Sequence, residues 1–176
     1  MTAIRIEEYR ERVASVLQSS GIVLTQAEKH SMEFADFGLG RFEMEGLAIV
    51  VYENNDRYCA KELVMLPHQT CPEHRHPPVG TDPGKRETFR CRAGLVWLYV
   101  EGSRSETIRA TVPQTSRAHY TVFHEIELRP GTQYTIEPNT LHWFQSGDDG
   151  AIVSEFSSTS HDESDIFTDP NIRRVA

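Results

Sequence analysis

The hydrophobic positions repeat with helical spacing at the start of the chain and with strand spacing after it. Over residues 4–20, apolar side chains recur every three or four positions, and Gly21 follows them as a stop signal. Thr25 and Glu28 then form a capping-box pattern. We therefore predict two helices in the N-terminal segment, the second of which ends near residues 38–40.

Beyond this segment, short runs rich in β-branched and aromatic residues predict strands. Turn signals such as Pro130-Gly131 separate the runs, and no helical pattern lies between them. We therefore do not expect strand–helix–strand units. We expect an antiparallel β-barrel or sandwich of the jelly-roll type. The predicted strands cover residues 46–53, 57–66, 87–92, 95–101, 120–128, 133–137, 141–146 and 151–158.

Length and composition fit one mainly β domain. Within the 176 residues, we expect a helical segment over 1–40, the barrel over 41–158 and a polar tail over 159–176 that runs across the surface. The net charge of −8 and the absence of a basic cluster disfavour nucleic acid and anionic membranes as partners. Three cysteines without a paired spacing favour reduced thiols in the cytoplasm. No apolar run approaches the roughly 18 residues of a membrane span.

Three histidines and a glutamate are the candidate metal ligands. His74 and His76 stand one residue apart on an extended segment, so their side chains share one face. Glu87 and His142 each begin a predicted strand. Such groups are costly on apolar faces unless hydrogen bonds or a metal satisfy them. Two ordinary hydrogen-bonded histidines are the alternative, whereas three imidazoles and a carboxylate would suit Mn²⁺, Fe²⁺, Co²⁺ or Ni²⁺ with two open positions.

The order of these residues resembles the two motifs of the cupins, a family of small jelly-roll β-barrels. The first cupin motif runs His-x-His, a short gap, Glu, six residues and Gly; the second contains Gly, Pro and His. The matching residues are His74, His76, Glu87 and Gly94, then Gly131, Pro138 and His142. The gap before Glu87 has ten residues instead of the usual three or four, and we expect residues 77–86 to form a loop over the barrel mouth.

Longer segments around these motifs carry a closer resemblance; they are 56–63 (DRYCAKEL), 69–78 (QTCPEHRHPP), 87–92 (ETFRCR), 142–145 (HWFQ) and 165–170 (DIFTDP). They resemble the D-lyxose isomerases, which are sugar isomerases built on a cupin. This resemblance implies a Mn²⁺-dependent enzyme that converts the monosaccharide D-lyxose to D-xylulose, with D-mannose to D-fructose as a second reaction, in a homodimer.

Aldose–ketose isomerisation moves a proton between C1 and C2 through a cis-enediol, and two residues are candidates for this chemistry. Glu155 is the candidate base because it lies on an apolar strand face; a salt-bridged or solvent-facing glutamate is the alternative. Lys61 also lies on an apolar face, so its ammonium group is expected to point inward, where it could donate a hydrogen bond to a sugar oxygen or stabilise the enediolate. The alternative for Lys61 is a structural ion pair with Glu87 or Glu155.

Several other polar and aromatic residues could bind the sugar. Charged groups could bind hydroxyls, and aromatic rings could stack on the C–H face of the sugar, although solvated charges and core aromatics are the alternatives. These residues are Lys85, Arg90, Arg92, Trp143, Asp165, Phe167 and Asp169. Three other functions remain open: a cupin Fe(II) oxygenase, a cupin-type glucose-6-phosphate isomerase, and a sugar-binding cupin without activity.

Overall fold

The computed structural model describes residues 3–173, and the predicted mainly β fold with two N-terminal helices is confirmed. The helices are α1 (Ala3–Ser19) and α2 (Gln26–Ser31), and two short 3₁₀ helices cover Gln114–His119 and Asp162–Ser164. The strands are β1 (Glu33–Ala35), β2 (Leu47–Asn54), β3 (Cys59–Met65), β4 (Thr70–Arg75), β5 (Glu87–Val100), β6 (His124–Leu128), β7 (Gln133–Ile136), β8 (His142–Ser157) and β9 (Ile166–Phe167).

Strand β8 is the centre of a curled antiparallel sheet that contains all nine of these strands. β5 pairs with β8 along both halves of β8. On the other edge of β8, β4 pairs with the first half and β3 pairs with the second half. This register places His74 opposite His142, and it places Lys61 and Phe89 on either side of Glu155. Residues that are distant in sequence thereby meet on the inner face of the sheet.

Two long strands replace two pairs of predicted strands. The predicted strands 87–92 and 95–101 fall in β5, which ends at Val100, and the predicted strands 141–146 and 151–158 fall in β8, which covers His142–Ser157. The register shifts before Ala93 and again after Gly94, but the strand does not reverse. Gly94 has a φ of +74°, and a Cβ on it would lie 2.0 Å from the carbonyl oxygen of Gly150. Glycine is needed here because the two backbones approach closely.

The second helix is shorter than predicted, although its capping box forms. The side chain of Thr25 accepts a hydrogen bond from Glu28 N at 3.2 Å, and Thr25 N donates to the Glu28 carboxylate at 2.7 Å. The helix ends at Ser31 because Phe34 and Ala35 pair with β2 as part of β1. Pairing with the sheet satisfies backbone groups that a longer helix would otherwise have used.

Separate apolar clusters cover the two faces of the sheet. On the outer face, Val13 and Leu17 of α1 pack against a cluster that includes Val50 and Ile152. Burial of each such side chain contributes about 1.5–3 kcal/mol. The inner cluster includes Leu47, Leu63, Phe89, Phe144 and Val153. Because α1 packs on the outer face, the inner face remains available for a site. Across residues 3–173, no helix has the length and apolar character needed to cross a membrane.

Candidate active site

A cavity lies within the curled sheet, between an apolar floor and a wall of polar and charged side chains. The floor includes Phe37, Leu47, Ile49, Leu63, Phe89 and Phe144. The polar wall includes Lys61, His74, His76, Lys85, Glu87, Glu155, Asp162 and Asp165. Buried ionisable groups are rare unless they are paired or functional. Their concentration in one place marks this cavity as the candidate site.

The three predicted histidines converge beside this cavity. Candidate ligand atoms of His74, His76 and His142 all lie within 4.8 Å of one another. His74 Nδ1 lies 2.7 Å from the Pro72 carbonyl oxygen, and His142 Nδ1 lies 2.9 Å from that of Thr140. A carbonyl oxygen only accepts hydrogen bonds, so each Nδ1 carries a hydrogen, which leaves Nε2 as the ring nitrogen that can bind a metal. Such rings are suited to bind a metal.

Glu87 completes the set, and the local chemistry fits a divalent cation. Its buried Oε1 lies 3.1 Å from His142 Nε2 and 3.2 Å from His76 Nε2. His142 Nε2 is buried and makes no hydrogen bond with any described residue. A lone pair that faces a buried carboxylate oxygen is unfavourable unless a cation or a proton lies between them. Three imidazoles and this carboxylate could therefore hold a metal ion.

Asp165 fixes the orientation of His76. Its Oδ1 lies 2.5 Å from His76 Nδ1. Burial and Lys85 lower the pKa of His76, but Glu87 and Asp165 outweigh them and raise the pKa of His76 to about 9. For His74, burial and the two neighbouring imidazoles hold the pKa of the ring well below its usual value. A carboxylate behind the ring is a typical partner of a metal-binding histidine.

Glu155 lies on the inner face of β8, where Lys85 links it to Glu87. The Lys85 ammonium nitrogen lies 3.1 Å from Glu155 Oε1, 3.0 Å from Glu87 Oε2 and 3.5 Å from Asp162 Oδ1. Burial lowers the pKa of Lys85, but the surrounding carboxylates, Glu155 first, outweigh it and raise this pKa well above its usual value. The candidate base and a candidate metal ligand therefore share one buried cation.

Lys61 points into the cavity, and its closest polar partners belong to the tail. Its ammonium nitrogen lies 2.6 Å from Asp162 Oδ2 and 2.9 Å from Ser160 Oγ. The sequence instead raised Glu87 and Glu155 as ion-pair partners. Burial lowers the pKa of Lys61, but Glu155 and Asp162 outweigh it and raise this pKa. Lys61 is therefore a charged group at the edge of the cavity.

The C-terminal tail, expected to run over the surface, also forms part of the cavity wall. Strand β9 pairs with β4 and brings Phe167 opposite His74, with the two rings stacked at a centroid distance of 5.3 Å. Asp162 and Asp165 line the cavity as well. The predicted sugar contacts of Asp165 and Phe167 are therefore compatible with their positions.

The structure does not bring Trp143 or Arg90 to the cavity. Trp143 is fully buried behind β8 and stacks on Tyr99 at a centroid distance of 4.1 Å. Arg90 donates a hydrogen bond to Gln133 at an exposed position, 3.1 Å away. Each follows an inner-facing residue of its strand, so its side chain points to the opposite face. This placement argues against the sugar contacts predicted for them.

Lys85 and Asp162 received little or no weight from the sequence. One available signal was the spacing of Lys85, which stands two residues before Glu87 and so shares its face if the strand extends back. The other signal was the glycine at position 84, directly before Lys85, because glycine often marks a tight turn. In the structure Gly84 has a φ of +102°, and a Cβ on it would lie 2.5 Å from the His76 carbonyl oxygen. No sequence pattern places Asp162 beside these residues.

Comparisons with known proteins agree on both family and fold. A family model described as D-lyxose isomerase matches residues 18–176. The D-lyxose/D-mannose isomerase of Thermosediminibacter oceani is 62% identical over 171 residues, which cover 97% of this chain and 94% of that protein. The D-lyxose ketol-isomerase of Cohnella laeviribosi is 63% identical over 168 residues, which cover 96% and 92%. The solved L-ribose isomerase of Cellulomonas parahominis is 15% identical and has a TM-score of 0.82, covering 100% of this chain and 97% of that one. This last similarity establishes a cupin-like fold.

Proposed function

The chain belongs to the D-lyxose isomerase family, and we propose that it converts D-lyxose to D-xylulose. The observation that supports this most directly is the buried meeting of Glu155 with a candidate metal site in one cavity. D-Mannose to D-fructose is proposed as a second reaction. D-Mannose has the same configuration as D-lyxose from C2 to C4, and one relative is named for both sugars.

We propose that His74, His76, Glu87 and His142 hold a divalent ion, with Mn²⁺ first and Co²⁺, Fe²⁺ or Ni²⁺ as alternatives. With neutral imidazoles, the carboxylates that line the cavity outnumber its ammonium groups by two. A divalent cation would balance this buried charge. When bound, such an ion supplies Lewis acidity that stabilises negative charge on the sugar oxygens.

Glu155 is proposed to move the proton. Its carboxylate takes the proton from C2 of the aldose, the electrons of that C–H bond form the C1=C2 double bond, and the electrons of the C1=O double bond move to O1. In the resulting cis-enediolate the O2 proton passes to O1, O2 forms a double bond with C2, and the electrons of the C1=C2 double bond take the proton back from Glu155 at C1, which yields the ketose. One carboxylate can serve both carbons because they are adjacent. We propose that Lys61 donates a hydrogen bond to a sugar oxygen and that Asp165 and Phe167 line the sugar subsite.

The charges of the cavity favour a free sugar over a phosphorylated one. Among the residues that line it, no arginine is present, and Lys61 and Lys85 are both paired with carboxylates. A phosphate group would meet four carboxylates at short range, so binding would cost electrostatic free energy. We also propose a homodimer, which the family resemblance implies. Size-exclusion chromatography with light scattering measures the mass of the assembly and tests this proposal.

The deciding experiment supplies D-lyxose to metal-stripped protein, with and without Mn²⁺, in the absence of oxygen. We expect D-xylulose to form only with the metal. An Fe(II) oxygenase would require oxygen, and a glucose-6-phosphate isomerase would act on the phosphorylated sugar in a parallel assay. A binding protein would not exchange the C2 proton of D-lyxose with deuterated water. If no ketose forms and the C2 proton does not exchange with any of the four ions, the proposed function is refuted.

A further inference from the structure

We propose that Lys85 is a positioning residue that fixes one oxygen of Glu155 and one oxygen of Glu87. The other oxygen of Glu155 is then available for proton transfer, and the other oxygen of Glu87 is available to bind the metal ion. This inference rests on the proposed function and adds a residue to it. The Lys85 side chain is buried, and its ammonium nitrogen lies 3.1 Å from Glu155 and 3.0 Å from Glu87. A single cation therefore joins the proposed base to a proposed metal ligand.

The hydrogen bonds to the two carboxylates divide their oxygens. For Glu155, the bonds from Lys85 and from Ser157, at 3.1 and 3.3 Å, both reach Oε1. No described residue donates to Glu155 Oε2, which is left for proton transfer. For Glu87, Lys85 contacts Oε2, whereas Oε1 faces the imidazoles of His76 and His142. In each carboxylate, Lys85 therefore contacts one oxygen, and the other oxygen is available for the proposed reaction or for the metal ion.

The backbone before Lys85 is built to insert this side chain. Val79 and Asp82 exchange two backbone hydrogen bonds, and the Asp82 carboxylate accepts one from Gly84 N at 2.8 Å. Gly84 packs against the His76 carbonyl oxygen in a left-handed conformation that has no room for a Cβ. The loop between His76 and Glu87 is therefore an ordered turn that directs Lys85 into the cavity.

Electrostatics explains why Glu155 depends on Lys85. Glu87 and Glu155 are both nearly excluded from water, and in such surroundings two like charges repel strongly. The ammonium group offsets this repulsion by an ion pair with each carboxylate, and it donates a hydrogen bond to Glu155. Lys61 does not replace it, because its ammonium group donates to Ser160 and Asp162. Without Lys85, we expect Glu155 to rotate away from Glu87 and to lose its alignment with the C2 proton.

The test compares the unaltered protein with Lys85→Ala, and uses Lys29→Ala as a control because Lys29 pairs with Glu11 on the helical surface. All proteins are loaded with saturating Mn²⁺ and assayed with D-lyxose. We expect Lys85→Ala to lower kcat by roughly 100-fold or more, the scale of a lost positioning contact. KM should change by less than about threefold, because Lys85 acts through Glu155, and bound metal should stay near one ion per chain.

Chemical rescue separates positioning from simple support of the fold. Propylamine supplies the atoms that Lys85→Ala lacks, and 1-propanol supplies nearly the same volume without the charge. We expect the ammonium ion to restore kcat at least about tenfold and the alcohol to restore nothing, since the charge is what holds the carboxylates. A crystal structure of the variant should place the Glu155 carboxylate farther from Glu87. Equal rescue by the alcohol, or none by the amine, would overturn the proposal.

Two controls make every result decisive. If Lys85→Ala does not fold, as judged by its thermal transition, Lys85→Gln replaces it; a kcat within about threefold of the unaltered protein then overturns the inference. Failure of the proposed function looks different. In that case the unaltered protein itself leaves D-lyxose unchanged, and both proposals fall together.

Discussion

At the residue scale, the ammonium group of Lys85 contacts two buried carboxylates, Glu87 and Glu155, whose other neighbours differ. Glu87 faces two imidazole nitrogens, whereas Glu155 lies on the far side of Lys85 and has no histidine partner among the described residues. Burial raises the pKa of Glu87, but Lys85 and His76 outweigh it and hold this pKa well below its usual value. As an anion, Glu87 is thereby suited to bind a cation, and Glu155 is the carboxylate that we propose as the base.

Replacement of the proposed base tests this division. Glu155→Gln keeps the shape of the side chain but removes its ability to accept a proton, so we expect kcat to fall by about 10³-fold or more. Metal analysis should still find about one Mn²⁺ per chain. Glu53→Gln, at an exposed position of β2, is the matched control and should retain activity. Substantial turnover by Glu155→Gln would refute the assignment of the base.

The contact between Asp165 and His76 gives a second prediction at this scale. Asp165→Asn removes the negative charge behind the imidazole and weakens the orientation of the ring. We expect Mn²⁺ affinity, measured by calorimetric titration, to fall by roughly 10–100-fold. Asp149→Asn, on an exposed segment of β8, should bind Mn²⁺ as the unaltered protein does. Unchanged affinity in Asp165→Asn would mean that Asp165 does not support a metal ligand.

At the scale of elements, the loop before β5 and the tail after β8 close the same cavity from two directions. The loop contributes Lys85, and the tail contributes Asp162, whose carboxylate lies near the ammonium groups of Lys61 and Lys85. Glycine allows the loop to turn into the cavity at one position, Gly84. The loop therefore contributes to the wall of the cavity.

Two glycines of this loop separate backbone strain from a packing clash. Gly80 and Gly84 both have positive φ, but only at Gly84 would a Cβ meet another atom within 4 Å, the His76 carbonyl oxygen at 2.5 Å. We expect Gly80→Ala to cost about 1–2 kcal/mol of unfolding free energy from the left-handed backbone alone. Gly84→Ala should cost more and should also lower kcat, because Lys85 is displaced. Denaturant titration and kinetics measure both effects, and equal losses in the two variants would contradict this reasoning.

At the scale of the whole molecule, the candidate ligands come from β4 and the residue directly after it, from β5 and from β8, so metal binding should be coupled to the folding of the sheet. A ligand that binds only the folded protein at about 100 times its Kd stabilises it by about 2.7 kcal/mol. For a chain of this size, that corresponds to a rise of roughly 5–10 °C in the midpoint of thermal unfolding.

Scanning calorimetry with and without Mn²⁺ measures this coupling. His142→Ala should abolish the metal-dependent rise, because it removes one ligand of the set. His68→Ala should retain it, since His68 lies at the surface near Asp148. A rise of the same size in His142→Ala would mean that Mn²⁺ binds elsewhere.

The sequence alone determined the fold class and several members of the site. Period-two alternation put Lys61, Glu87, His142 and Glu155 on apolar strand faces, and the structure finds each of them directed inward. Local spacing is sufficient for such predictions because a strand turns successive side chains to opposite faces. The flanking segments identified the family, which the comparisons confirm.

Tertiary structure decided which inward groups are partners and which polar residues are excluded from the site. Lys85 contacts the carboxylates that were considered for Lys61, and Asp162, which the sequence did not single out, comes from the tail that was expected to run across the surface. Trp143 and Arg90 carry suitable chemistry but point away from the cavity. The physical reason is that ion pairs form across strands and loops far apart in sequence, so strand register and loop path determine them, and neither follows from local pattern.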